Sequence, residues 1–157
     1  MKLLILGANG LLGNTLTKYF FEKNNYETYG FLRDSSKLKF FKRKHISRLI
    51  IIQDVLNIYD LRRKIKKLMP DVIINCIGQT NKIRGENLNN IEKYIKLNSL
   101  FPFRLKEICG EIKSRLIHFS SDCVFSGEKG FYSEKDNPDP TDIYGKSKLL
   151  GELDYEN

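Results

Sequence analysis

The stretch that most restricts the fold lies at the start of the chain. Leu3-Leu4-Ile5-Leu6 is an unbroken apolar run that ends at Gly7-Ala8-Asn9-Gly10-Leu11-Leu12-Gly13. A short continuous apolar run reads as a strand buried on both faces, which belongs to a parallel sheet covered by helices. A helix is predicted from the glycines to about Lys23, with Leu12, Leu16 and Phe20 on one face. Glycine spacing carries meaning in this context of strand, turn and helix. Gly7 permits a tight turn, Gly10 lets the backbone approach a diphosphate, and Gly13 lets the helix pack closely on the strand. The helix N-terminus adds free N–H groups and the positive end of a dipole. Gly7, Asn9, Gly10, Leu11, Leu12 and Gly13 are therefore candidate dinucleotide-binding residues; the plain alternative is a tight turn that binds nothing.

The rest of the chain repeats the alternation. A second strand, Tyr26 to Leu32, ends at Arg33-Asp34-Ser35-Ser36-Lys37. At this place an acid holds the ribose 2′-hydroxyl of NAD, and an arginine accommodates the 2′-phosphate of NADP. Arg33 with its serines and lysine favours the phosphate, while Asp34 keeps NAD open. A third strand, Leu49 to Gln53, is followed by Asp54-Val55. Asp54 either meets the adenine or starts the turn before a helix capped by Asn57 and ended by Pro70. Val72 to Ile77 is the fourth strand, with Cys76 and Ile77 facing the cofactor's path and Gly78 keeping it clear. A polar stretch to Asn90 reads as a loop over the site. A long helix from Ile91 to about Cys109 contains Asn98 four residues before Pro102. There Asn98 stabilises a kink, holds a water, or is an ordinary polar residue. Arg115 to Phe119 is the fifth strand. Five strands alternating with helices give a doubly wound parallel α/β sheet of order 3-2-1-4-5, as one domain over residues 1–157.

Ser120, Ser121 and Asp122 follow the fifth strand, at the end of the sheet where ligands bind in open α/β folds. Further on, Asp142 can cap a helix carrying Tyr144 and Lys148, four residues apart and so on one face. A phenol titrates near ~10, and a neighbouring ammonium favours the phenolate. A Tyr-Lys pair facing a serine hydroxyl can therefore exchange a proton with a carbonyl or alcohol near neutral pH. An aromatic packed on a neighbour beside an exposed lysine is the bland reading of the same pair.

At 157 residues the chain suffices for one domain with a real core. No apolar run approaches the ~20 residues that span a bilayer. Cys76, Cys109 and Cys123 show no zinc-type spacing, so reduced thiols, a cytoplasmic setting and no metal are expected. The formal charge is +8, with basic clusters at Lys37 to His45 and Arg62 to Lys67. The second cluster lies opposite an apolar helix face (Ile58, Leu61, Ile65, Leu68) and reads as a solvated surface rather than a nucleic-acid site. His45 and His118 read as surface or strand residues rather than ligands.

Together these residues resemble the extended short-chain dehydrogenase/reductase superfamily, and within it the dTDP-4-dehydrorhamnose reductase family of nucleotide-sugar reductases. The glycine turn has the family spacing, and Asn75-Cys76-Ile77-Gly78 and Asn98-Ser99-Leu100-Phe101-Pro102 match family segments. Ser120-Ser121-Asp122-Cys123-Val124-Phe125-Ser126-Gly127 is close to the family's Ser-Thr-Asp-Tyr-Val-Phe-x-Gly. Pro140 through Glu152 matches the Pro-x-x-x-Tyr-Gly-x-(Ser/Thr)-Lys-x-x-Gly-Glu segment almost throughout.

The resemblance implies a Rossmann-like fold. It implies Ser121, Tyr144, Lys148 and Asn98 as the catalytic set, with Ser121 polarising a sugar ketone, Tyr144 donating the proton and Lys148 holding the nicotinamide ribose. Ser120, Tyr144 and Lys148 would also touch cofactor, and Ser121, Asp122 and Tyr144 substrate. The implied cofactor is NADPH, with NADH possible, and the implied substrate is the 4-keto group of a nucleotide-linked deoxyhexulose. Ser121 replaces the family's threonine, and Cys123 replaces a tyrosine, which leaves the sugar open. Family members continue with a sixth strand and a sugar-binding domain, so the chain is expected to match their N-terminal part, as a homodimer or with a second chain supplying the other half. An NAD-dependent epimerase or dehydratase, and a non-catalytic regulatory subunit like that of methionine adenosyltransferase, are the other readings.

Overall fold

The structure, a computed structural model, describes residues 1–80 and 88–153. The chain divides into two compact units. One comprises Met1–Ile77 and Arg104–His118, the other Gly78–Phe103 and Phe119–Asn157.

The first unit holds the whole sheet. Strands β1 (Lys2–Leu6), β2 (Glu27–Leu32), β3 (Leu49–Ile51), β4 (Val72–Asn75) and β5 (Arg115–His118) pair in parallel in the order β3-β2-β1-β4-β5. This is the expected doubly wound arrangement, with the most apolar strand at the centre. Leu3, Leu4, Ile5 and Leu6 are all buried, because β1 has a strand on each side and side chains packed on both faces. β4 ends at Asn75, two residues short of the sequence reading. The Asn75 side chain takes over there: its Oδ1 accepts from Ile77 N (3.0 Å) and its Nδ2 lies 3.0 Å from His118 Nδ1.

Helix α1 (Leu11–Phe21) buries Gly13, Thr17 and Phe21, a stripe one residue round from the expected Leu12, Leu16 and Phe20. Leu16 and Phe20 flank it, partly buried against Leu3, Ile5, Val72 and Ile74, while Leu12 is exposed. The reason is Gly13: without a side chain, this face of the helix can come closest. Helix α2 (Ile58–Leu68) is capped by Asn57, whose Oδ1 accepts from Asp60 N (3.1 Å), and buries Leu61 and Ile65. Its basic face is paired, with Arg62 and Lys66 on Glu111 and Arg63 and Lys64 on Asp60.

In the second unit the expected loop to Asn90 falls largely on residues 81–87, outside the described residues. Helix α3 (Leu88–Tyr94) runs into a π-helical turn, Ile95–Leu100, and then into α4 (Phe101–Ile112), which continues into the first unit. Pro102 has no N–H to give the carbonyl of Asn98, and the widened turn accommodates that loss. After β5 come a 3₁₀ turn at Asp122–Val124 and helix α5 (Ile143–Leu149). Among the described residues no helix is long and apolar enough to cross a membrane.

Candidate functional site

The glycine turn is the first of two sets of residues. Gly7 has φ +78°, a left-handed conformation that any side chain would strain. Gly10 N closes the turn on Gly7 O at 2.9 Å, and Ala8 N bonds Phe31 O at 3.0 Å, fixing the turn to β2. A Cβ on Gly13 would stand 2.2 Å from Gly7 O, so α1 rests directly on the turn's backbone. α1 begins at Gly10 with no side-chain capping bond and no acid in its first turn. Its N-terminal N–H groups and dipole are thus left for an anion from outside the chain, and the exposed residues beside them are Asn9, Gly10, Leu11 and Leu12. This cradle fits a dinucleotide diphosphate. Cys76 and Ile77 pack on the turn: Cys76 N bonds Leu6 O (3.1 Å), and a Cβ on Gly7 would meet Ile77 Cγ1 at 3.0 Å. Burial pushes the Cys76 thiol up to about 11, so it is a packing group, not a thiolate.

Beyond β2, Arg33 is exposed. Asp34 is committed locally, accepting from Ser36 N and Ser36 Oγ, both at 2.8 Å, to cap the 3₁₀ turn Ser35–Phe40. Those bonds, the backbone one first, hold its carboxyl below the usual range. Asp54 likewise starts a turn, its Oδ1 accepting from Leu56 N at 2.9 Å ahead of half-buried Val55.

The second set lies in the other unit. Asp142 accepts from Gly145 N (2.7 Å) and caps α5, which carries Tyr144 and Lys148 one turn apart. Lys148 is only 5% exposed, and its Nζ donates to Phe119 O at 2.6 Å. Burial lowers its pKa from the ordinary lysine value, with the charge of Glu152 opposing that shift. The tether reaches the peptide that leads into Ser120 and Ser121. Ser121 Oγ accepts from Cys123 N (3.2 Å), capping the 3₁₀ turn, and donates to Asp122 Oδ1 (3.1 Å). Ser120 Oγ donates to Glu152. Ser120, Ser121, Asp122 and Glu152 line a cavity of about 600 Å³ together with Phe125 and Tyr132.

Asn98 is wholly buried. Its Oδ1 accepts from Gln79 N (2.7 Å), and its Nδ2 donates to Gln79 O (3.0 Å) and Ser147 Oγ (3.0 Å). This side chain ties the peptide after Gly78 to α5. Gly78 serves the same node, since a Cβ there would stand 3.4 Å from Asn98 Oδ1.

Several positions of the segment from Pro140 to Glu152 matter here although no individual role was legible for them in the sequence. Gly145 has no room for a side chain, with Cys123 O 2.2 Å from an ideal Cβ, and at Gly151 Asn98 O would be 1.8 Å away. Ser147 and Glu152 join these glycines in seating α5. Spacing showed which residues share a helix face, whereas these glycines act through backbone-to-backbone approach, which helix periodicity does not reveal.

The family model described as RmlD substrate binding domain matches residues 1–155. The chain belongs to that family. Among curated relatives, a probable low-salt glycan biosynthesis reductase, Agl14, of Haloferax volcanii is 31% identical over 94% of this chain and 46% of its own length. Methionine adenosyltransferase 2 subunit beta of Bos taurus is 31% identical over 96% of this chain and 41% of its own. A hypothetical dTDP-4-dehydrorhamnose reductase from Sulfolobus tokodaii superposes with a TM-score of 0.77 at 34% identity, covering 96% of this chain and 50% of that one. The Bacillus anthracis dTDP-4-dehydrorhamnose reductase solved with NADP gives 0.73 at 27% (96% and 47%). The Bacillus cereus UDP-glucuronic acid 4-epimerase solved with NAD gives 0.77 at 26% (96% and 50%). The chain thus spans about half the length of the relatives it matches, and its Rossmann-like sheet is theirs.

Proposed function

We propose that this chain is the cofactor-binding and proton-donating part of a nucleotide-sugar reductase, using NADPH to reduce the 4-keto group of a nucleotide-linked deoxyhexulose in the cytoplasm. The observation that carries the reading is the buried Lys148 ammonium, one turn from Tyr144 and tethered to Phe119 O, the peptide that leads into Ser121. When bound, the dihydronicotinamide supplies a hydride. The glycine turn and the open N-terminus of α1 hold the diphosphate, and Arg33 meets the 2′-phosphate, Asp34 being occupied by its own cap. Ser121 donates a hydrogen bond to the ketone oxygen, Tyr144 Oη delivers the proton as the alcohol forms, and the Lys148 charge favours the phenolate left behind. The NADP in one relative's structure supports the cofactor type, and the NAD in another keeps NADH as the competitor.

Titration with NADPH and NADH, followed by nicotinamide fluorescence, tests this reading. Saturable binding with NADPH preferred, a preference abolished in Arg33→Ala, is expected. In the protein completed with a sugar-binding half, Tyr144→Phe is expected to keep NADPH affinity and lose most ketosugar turnover. No cofactor binding by the folded chain, or unchanged turnover in Tyr144→Phe, would overturn it. A second reading, a non-catalytic dinucleotide-binding subunit, is favoured by the likeness to methionine adenosyltransferase 2 subunit beta. It predicts cofactor binding with no turnover in any completed form.

A further inference from the structure

The chain between β2 and β3 carries the first basic cluster, which the dinucleotide site does not use beyond Lys37. It folds as two 3₁₀ turns, Ser35–Phe40 and Arg43–Arg48. Its inward side chains are apolar or aromatic. Leu38 and Phe41 pack against Ala8, Phe21, Leu32 and Leu49, and the His45 ring lies 4.5 Å from that of Phe21. This leaves Lys39, Phe40, Lys42, Arg43 and Lys44 exposed. From Lys37 to Arg48 the sequence has no acid. Glu22 on α1 reaches the cluster, but its carboxylate is shared by Lys42 (2.7 Å) and Lys44 (3.4 Å). Among the described residues Lys18, Lys37, Lys39 and Arg43 have no carboxylate within ion-pairing distance. The basic face of α2 is the contrast, since Asp60 and Glu111 pair its Arg62, Arg63, Lys64 and Lys66.

Apolar surface lies inside the same patch. A lone exposed ring needs no explanation. Phe40, however, is 52% exposed and joins Phe41 in lining a cavity of about 400 Å³ with Lys18, Glu22, Lys42 and His45. The Lys37 and Lys39 ammoniums lie 5.8 and 5.5 Å from the centre of the Phe40 ring, and Lys18 lies 5.8 Å from that of Phe41. Ile46 adds a second exposed apolar side chain.

We propose that this patch is a peripheral docking surface for an anionic phospholipid bilayer, its lysines meeting headgroup phosphates while Phe40 enters the interface. Uncompensated positive charge calls for an anionic partner. The cytoplasmic leaflet of a membrane supplies such charge. Two features select a lipid surface over a nucleic acid. The patch is built mainly on lysine, a flexible point charge suited to mobile headgroups, whereas recognition of a fixed phosphate backbone favours the planar fork of arginine. Phe40 is held among ammoniums instead of standing out as a platform on which bases stack. An aromatic side chain among clustered lysines is the composition that settles at a headgroup boundary. Cofactor binding neither requires this contact nor fails with it.

Co-sedimentation of the chain with vesicles tests the proposal, using phosphatidylcholine alone and phosphatidylcholine mixed in equal parts with phosphatidylglycerol. Binding to the anionic vesicles alone is expected, weakening as salt is raised. Lys39→Gln with Arg43→Gln removes charges that pair with no carboxylate in the fold. It should weaken that binding by roughly thirtyfold, about fivefold for each charge. Arg63→Gln with Lys67→Gln on α2 lowers the net charge equally and should weaken it far less. Phe40→Ser keeps every charge and should weaken it by roughly tenfold. These side chains are exposed, so the variants should keep the wild-type circular dichroism spectrum. No binding to the anionic vesicles, equal losses in the two double variants, or unchanged binding in Phe40→Ser would overturn the proposal. Tight binding to polyuridylate with none to the vesicles would overturn it too, and would assign the patch to RNA.

Discussion

The contact between Gly13 and the turn can be tested by adding a single methyl group. In Gly13→Ala the new Cβ would stand 2.2 Å from Gly7 O, 2.7 Å from Gly7 C and 3.2 Å from Ala8 N. All three are backbone atoms, and the turn they belong to is held by Gly10 N to Gly7 O and Ala8 N to Phe31 O. It cannot swing aside like a side chain, so α1 must retreat by about 1 Å, which places the cost towards the upper end of the ~1–3 kcal/mol range for overpacking. Alanine recovers ~1 kcal/mol of helix propensity over glycine. The net loss is then ~2 kcal/mol, which for a chain of this size lowers Tm by roughly 4–8 °C. Gly110→Ala is the control: it is also a helix glycine, in α4, and its Cβ would meet nothing within 4 Å. There the propensity gain stands alone, ~0.5–1 kcal/mol of stabilisation. Urea unfolding of both variants beside the wild type separates the two effects. Nicotinamide fluorescence should show that Gly13→Ala also binds NADPH more weakly, because the retreating helix carries its N-terminus away from the diphosphate. Equal stabilisation by both alanines would refute the close approach and the cradle built on it.

Other outcomes follow from groups elsewhere in the chain. Asn98→Ala removes three hydrogen bonds and leaves Gln79 N and O and Ser147 Oγ without that partner, so a loss of about 2–4 kcal/mol in urea unfolding is expected. A loss under ~1 kcal/mol would mean the node is not structural. Burial, reinforced by Lys44, lowers the pKa of His45, whose ring lies 4.5 Å from that of Phe21. The unfolded chain therefore takes up this proton more readily than the folded one. Stability should fall as pH drops through ~6.5 towards the lower folded value, and His45→Phe should flatten that stretch of the curve. Parallel wild-type and variant curves between pH 7 and 5 would contradict this.

Much of the fold was legible because burial on both faces leaves a local mark. Leu3 to Leu6 read as a central strand without reference to anything distant, and the alternation of strands with helices then left one strand order. The caps at Asn57 and Asp142 were also legible, since each acts within three residues of itself. The buried stripe on α1 lies one residue round from the apolar one because close approach decides it: Gly13 and Thr17 are buried, while Leu16 packs on the sheet only in part and Leu12 is exposed. What Asn98 bonds to was not legible. Its proximity to Pro102 is local, whereas its partners Gln79 and Ser147 lie 19 and 49 residues away.

The sequence by itself determined the parallel sheet, the glycine turn and the Tyr144–Lys148 pairing on one helix, all of which depend on spacing within a few residues. Only the tertiary structure decided what those groups touch. It committed Asp34 and Asp54 to their own turns, seated α5 through Gly145 and Gly151 against Cys123 and Asn98, and placed the Lys148 ammonium on Phe119 O with Glu152 held by Ser120. The physical reason is range. Helix faces and caps are fixed by the regular geometry of one segment, while desolvation and close backbone approach are set by segments that only folding brings together.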